Sequence, residues 1–134
     1  MANIKDIEGI GPAFAEKLAG MGIITTDHLL EKGAGKSGRD SIAEGSGISD
    51  TLILKWVNRA DLARVHGIGS EYADLLEASG VDSVPELAQR NAANLHAKME
   101  EVNAEKSLVR STPSLGAVEK WVEEAKSLDR VVTH

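Results

Sequence analysis

The sequence predicts an all-α fold, and three observations support that prediction. Apolar side chains recur every three to four residues, the spacing of one helix face, as at Ile53, Trp56 and Val57. The chain also repeats itself, because residues 3–31 align without a gap with residues 61–89. No stretch shows the sustained alternation of apolar and polar residues that is typical of a half-buried β-strand. We therefore expect two similar helical bundles, residues 1–60 and residues 61–134.

Start and stop signals delimit the predicted helices. N-cap candidates stand before the apolar runs of both copies: Asn3, Thr25 and Ser49 in the first, Asp61, Ser83 and Ser114 in the second. Glycines suited to a left-handed helix end follow some of these runs: Gly22, Gly33 and Gly80. We expect helices of about 8 to 12 residues joined by tight turns. The sequence leaves open whether a helix breaks or continues near residues 59–61.

The aromatic residues follow the repeat. SDTLILKWVNRA (49–60) aligns with SLGAVEKWVEEA (114–125), so the second copy carries about seven extra residues. The four Phe, Trp and Tyr residues fall into two repeat-equivalent pairs, Phe14 with Tyr72 and Trp56 with Trp121, which predicts that they anchor the core of each copy.

Residues 91–112 are where the second copy departs most from the first. Leu95, Met99 and Val102 have helical spacing, which predicts a longer helix with one apolar face. We expect that face to pack within the molecule. The alternatives are a helix that covers a groove between the two halves, or one that presents a face to a partner or a second subunit.

Composition restricts the class of protein. A chain of 134 residues that is 42% hydrophobic and 27% charged has the length and composition of an ordinary globular domain. The absence of cysteine excludes disulfides and thiolate-bound metals and fits a reducing, cytoplasmic setting. We expect no membrane span and no signal peptide. A net charge of −6 argues against a strongly basic nucleic-acid binder, so any contact with DNA would have to be local.

Two Gly-Ile-Gly turns carry the clearest functional signal. The first turn (residues 9–11) lies in I-x-G-I-G-P, and the second turn (residues 67–69) lies in V-x-G-I-G-S. The glycines permit positive φ and leave backbone N–H groups bare, the isoleucine anchors the turn, and Pro12 suits the first position of a helix. Amide donors at a helix start form an anion site that can hold a phosphate. Such donors read no bases and give little sequence preference.

These residues resemble the helix-hairpin-helix motif. Each copy is similar to the N-terminal helix-hairpin-helix domain of archaeal RecA-type recombinases. The order W-V-x-x-A-D-L-x-R-V-x-G-I-G, N-L-H-A-K and W-V-x-x-A-K resembles a stand-alone bacterial domain-of-unknown-function family (4332). The resemblance implies two tandem helix-hairpin-helix (SAM-like) bundles. It also implies DNA binding without sequence specificity through the two turns: Gly9, Ile10, Gly11, Gly67, Ile68 and Gly69.

Charge distinguishes the two turns. Residues 65–89 contain no lysine or arginine but do contain Glu71, Asp74 and Glu77, which should repel phosphate. The candidate phosphate-binding set therefore centres on the first turn and the nearest cations: Lys5, Gly9, Ile10, Gly11, Pro12, Lys17, Lys36 and Arg39. The second turn supplies a weaker set: Gly67, Ile68, Gly69 and Ser70.

Catalysis finds no support in the sequence. G-A-G-K-S (33–37) lacks the earlier glycine and the preceding strand of a nucleotide-binding P-loop. The four histidines have no metal-ligand spacing, and carboxylate pairs such as Glu123 and Glu124 occur in polar helical stretches. We therefore expect no enzyme activity, no cofactor and no metal.

Two functions remain open at the level of sequence. The first is weak, salt-sensitive, sequence-nonspecific binding of duplex DNA through the first turn. The alternative is a protein-interaction or scaffold module that keeps the fold without binding DNA. Such a module would use its acidic second half, or the helix in residues 91–112, as a contact surface for a protein partner or for self-association.

Overall fold

The computed structural model describes residues 3–7 and 9–133, with the side chain of Ser70 excepted. These residues are helical apart from turns and one isolated bridge between Asn3 and Thr25, so the predicted all-α fold is confirmed. A 3-10 helix covers Ile4–Asp6, and eight α-helices follow in the described chain: α1 (Pro12–Ala19), α2 (Thr26–Gly33), α3 (Lys36–Ser46), α4 (Asp50–Leu62), α5 (Ser70–Ala78), α6 (Val84–Ala88), α7 (Ala92–Lys106) and α8 (Leu115–Ser127). None of the described helices has the length and apolarity needed to cross a membrane.

Five of the six predicted N-caps are confirmed. At each, the side-chain oxygen accepts a backbone N–H from the helix that follows: Asn3, Thr25, Ser49, Ser83 and Ser114. The sixth, Asp61, is wrong, because α4 continues past residues 59–61 and Asp61 is buried within it. Gly22 and Gly80 take positive φ as expected, whereas Gly33 is the buried last residue of α2.

The chain divides into two compact units, each with its own apolar core. Unit 1 comprises Met1–Asp61 with Val131–His134, and unit 2 comprises Leu62–Arg130. Residues 131–133, placed by the sequence analysis in the second repeat, pack with unit 1. Val132 is 1% exposed within the core of that unit, and the Thr133 N–H donates to the Ala34 carbonyl at 2.8 Å.

The core of unit 1 surrounds Trp56, and Phe14 lies against its indole with ring centroids 5.2 Å apart. Helices α2 and α3 meet in a tight corner. A Cβ atom added to Gly38 of α3 would overlap the carbonyl oxygen of Lys32 in α2. The close approach of these two helices therefore depends on a residue without a side chain.

The core of unit 2 surrounds Trp121, and Tyr72 lies against its indole at 5.3 Å. Helix α7 buries Leu95, Met99 and Val102 and packs against α5 and α8. The expected intramolecular packing of this helix is therefore confirmed.

Replacing Gly38 with alanine should destabilise unit 1 by about 2 kcal/mol, because the added methyl group forces α2 and α3 apart. Gly35→Ala is the control, since its Cβ would lie 3.8 Å from the nearest atom, Thr133 Oγ1. Its cost should stay within about 0.5 kcal/mol. Urea denaturation monitored by circular dichroism measures both. Equal effects of the two substitutions would contradict the tight corner.

Val132→Ala should lower the free energy of unfolding by about 2 kcal/mol, because two buried methyl groups are lost from the core of unit 1. Val131→Ala, at a half-buried position, should cost less than half as much. The readout is again urea denaturation. No effect at Val132 would show that the tail does not contribute to the core.

Candidate nucleic-acid interface

The first turn reverses the chain between the 3-10 helix and α1. Gly9 has φ +95°, a conformation that L side chains rarely adopt. Ile10 is buried and its N–H donates to the Ile7 carbonyl at 3.1 Å, which anchors the turn from below. Gly11 is extended and caps α1, and Pro12 is the first residue of that helix. The turn thus exposes two glycines while its central side chain lies in the core.

Backbone donors are exposed at the start of α1. The first intrahelical bond from the cap runs from the Ala15 N–H to the Gly11 carbonyl at 2.9 Å. The N–H groups of Ala13 and Phe14 have no acceptor four residues back within the helix. Among the described residues no hydrogen bond engages either group, and Gly11 has no side chain that could cap them. These amides can donate to an anion.

The two glycines of this turn differ in what the fold requires of them. Gly9 needs to be glycine, because its φ is positive and an added Cβ would lie 3.4 Å from Nε1 of Trp56. Gly11 has φ −82°, and a Cβ there would meet nothing within 4 Å. Neither backbone strain nor packing therefore accounts for glycine at position 11. Because residue 11 has no side chain, an anion can approach the backbone closely at this point.

Two predicted cations lie on the helices that flank the first turn. Lys17 is an exposed residue of α1, with its Nζ 6.0 Å from the centre of the Phe14 ring. Lys5 is exposed and lines a groove of about 260 Å³ together with Pro12 and Glu16. Both lysines are available to a phosphate backbone, although Glu16 reduces the local positive charge.

Arg39 does not belong to the candidate site. It is 5% exposed, and its Nη1 donates to the carbonyls of Gly33 and Ala34 at 3.0 Å each. The guanidinium therefore closes the corner between α2 and α3 and is not available to DNA. The proximity of Lys36 in the sequence suggested a surface cluster, but burial cannot be inferred from charge spacing alone.

Lys36 is exposed but paired. Its Nζ lies 3.1 Å from the Asp40 carboxylate, and the groove beside it is also lined by Asp50. The segment G-A-G-K-S joins the end of α2 to the start of α3 and does not follow a strand, as the sequence analysis expected. Lys36 therefore has an acidic partner, which lowers the positive charge that it offers to a phosphate.

The second turn has the same backbone geometry. Gly67 has φ +93°, Ile68 is buried, and a Cβ on Gly69 would meet nothing within 4 Å. The indole Nε1 of Trp121 would lie 3.0 Å from a Cβ on Gly67. Ser70 is the first residue of α5, and the prediction for its side chain falls outside the described part of the structure.

A carboxylate contacts His66, the residue directly before the second turn, and sequence reasoning missed it. The His66 N–H donates to both carboxylate oxygens of Glu124 at 3.2 Å, and His66 Nδ1 lies 2.9 Å from Oε2. The sequence analysis treated Glu124 as part of a polar helical stretch. The available signal was the alignment of 49–60 with 114–125, which pairs Arg59 with Glu124 and so reverses the charge.

The fold and site together define an all-α protein of two compact units, each with a Gly-Ile-Gly turn at the start of a helix. The family described as Domain of unknown function (DUF4332) matches residues 8–128, and the chain belongs to that family. No curated protein gives a significant match to the chain, and no solved structure does.

Arg39→Ala should lower the free energy of unfolding by about 2 to 3 kcal/mol, because two carbonyls lose their charged donor. Lys36→Ala, which removes a neighbouring cation from an exposed ion pair, should cost no more than about 0.5 kcal/mol. Chemical denaturation of both variants measures the difference. Equal, small losses of stability in the two variants would show that the Arg39 side chain is exposed and belongs to the candidate site.

Proposed function

We propose that this chain is a tandem helix-hairpin-helix protein that binds duplex DNA without sequence preference, through the first turn. Gly11 carries the proposal. The fold does not require glycine there, and its presence leaves the amides of Ala13 and Phe14 open to a phosphate. Since backbone amides contact phosphate and not base edges, they fix the register of the protein and select no sequence.

Charge limits the expected affinity. Unit 1 holds 7 basic and 9 acidic side chains, a net charge of −2. Attraction to DNA must therefore come from the local arrangement of the turn, Lys5 and Lys17. With Arg39 buried and Lys36 paired, about two to three phosphates are neutralised. Binding should weaken with salt with a log–log slope of about −2 to −3.

A protein-interaction module is the second candidate, and unit 2 supplies the observation that favours it. This unit holds 8 basic and 12 acidic side chains, a net charge of −4. It also exposes two large apolar side chains, Leu108 at 38% and Leu115 at 39%. Exposed leucines on an acidic surface suit a partner with a basic rim and an apolar centre.

Fluorescence anisotropy of a labelled duplex of about 20 base pairs, titrated from low to near-physiological salt, tests DNA binding. Gly11→Asp should reduce affinity at least about tenfold, because a carboxylate at the N-cap competes with phosphate for the same amides. The same change should leave stability unchanged or slightly raised, since aspartate is a favourable N-cap. Affinity and stability therefore change independently, which a folding defect would not produce.

Gly11→Asn is the matched control, because asparagine caps the helix equally well without the charge. Lys17→Glu should also weaken binding, whereas Lys120→Glu makes the same charge change on an exposed residue of α8 and should have a smaller effect. Absence of wild-type binding at low salt would overturn the proposal. Affinities of Gly11→Asp and Gly11→Asn that both equal that of the chain without substitutions would exclude the first turn as the contact.

A further inference from the structure

Helix α8 positions Glu124 against His66, the residue directly before the second turn. Trp121 and Ala125 bury one face of that helix, and Glu124 stands one turn after Trp121, beside the buried face. The Glu124 side chain is 27% exposed, whereas that of its neighbour Glu123 is 74% exposed and pairs with Lys126 at 3.4 Å. Of two adjacent glutamates, one therefore faces the turn and the other faces solvent.

The carboxylate of Glu124 binds His66, the residue directly before the second turn. It accepts the His66 N–H with both oxygens and contacts the His66 ring, as described above. The surrounding sequence supplies no competing cation, because residues 65–89 contain neither lysine nor arginine. Arg64, the nearest preceding cation, donates to the Asp129 carbonyl at 2.8 Å.

An incoming phosphate would meet repulsion close to this turn. The carboxylate accepts the N–H of His66, directly before Gly67, and its negative charge disfavours a second anion nearby. The aligned position of the first copy holds Arg59, so the charge at this helix position is opposite in the two copies. The backbone geometry of the two Gly-Ile-Gly turns agrees, and this side chain and the acidic residues of α5 are among the differences around them.

We infer that Glu124 is a specificity-determining residue that keeps DNA phosphate from the second turn by holding a carboxylate against the residue that precedes it. The inference rests on the proposed function. It explains how two turns with the same backbone geometry can differ in binding, and it restricts DNA contact to unit 1. Removing the carboxylate should open the second turn to phosphate.

The test uses the full chain carrying Gly11→Asp, so that the first turn does not contribute. In this background Glu124→Ala should restore measurable, salt-sensitive binding of the labelled duplex. Glu124→Arg should bind at least about tenfold more tightly than Glu123→Arg, with a salt slope steeper by about 0.9, the value for one more neutralised phosphate. Glu123→Ala and Glu123→Arg make the same charge changes away from the turn. Thermal melting of each variant identifies any that does not fold.

The outcomes separate this inference from the proposed function. Equal gains at positions 123 and 124 would overturn the inference, because net charge alone would explain them. No gain at position 124, with the chain without substitutions binding DNA, would also overturn it. If that chain binds no DNA, the proposed function fails and inorganic phosphate becomes the probe. Phosphate-dependent NMR shifts at the amides of Gly69, Glu71 and Tyr72 in Glu124→Ala, but not in the chain that keeps Glu124, would support the inference, and no shifts in either would overturn it.

Discussion

In each turn a left-handed glycine lies against a tryptophan indole of the core. A Cβ at Gly9 would lie 3.4 Å from Trp56 Nε1, and one at Gly67 would lie 3.0 Å from Trp121 Nε1. Because the indole belongs to the core and the glycine to the surface turn, the core positions the turn directly. The second aromatic ring of each pair lies against the same indole and limits its movement.

The two turns share one backbone geometry but lie in different electrostatic environments. In unit 1 the helix start after the turn leaves its amides exposed, with Lys5 and Lys17 on the surface of that unit. In unit 2 a carboxylate from α8 binds the residue before the turn. Backbone geometry alone therefore does not define a phosphate site; the charges placed around it decide which anion it holds.

Local signals in the sequence predicted the helices and caps well, because these depend on neighbours three or four residues away. Side-chain roles that depend on distant contacts were harder to predict. Arg39 looked like a surface cation, yet it bonds the end of the preceding helix. Val132 lies far along the chain from the core it joins, and Glu124 contacts a residue on another element. In each case the role of the side chain depends on a contact that forms only when the chain packs, and the spacing of residue types does not predict that contact.

The central claim is that backbone amides of the first turn contact DNA phosphate. The most direct measurement is an NMR titration of the ¹⁵N-labelled chain with a short duplex at low salt. We expect the largest shifts at the start of α1, at Gly11, Ala13 and Phe14. The chemical shifts of the equivalent amides at the second turn should not change: Gly69, Glu71 and Tyr72. Shifts confined to other surfaces, or equal shifts at both turns, would contradict the account.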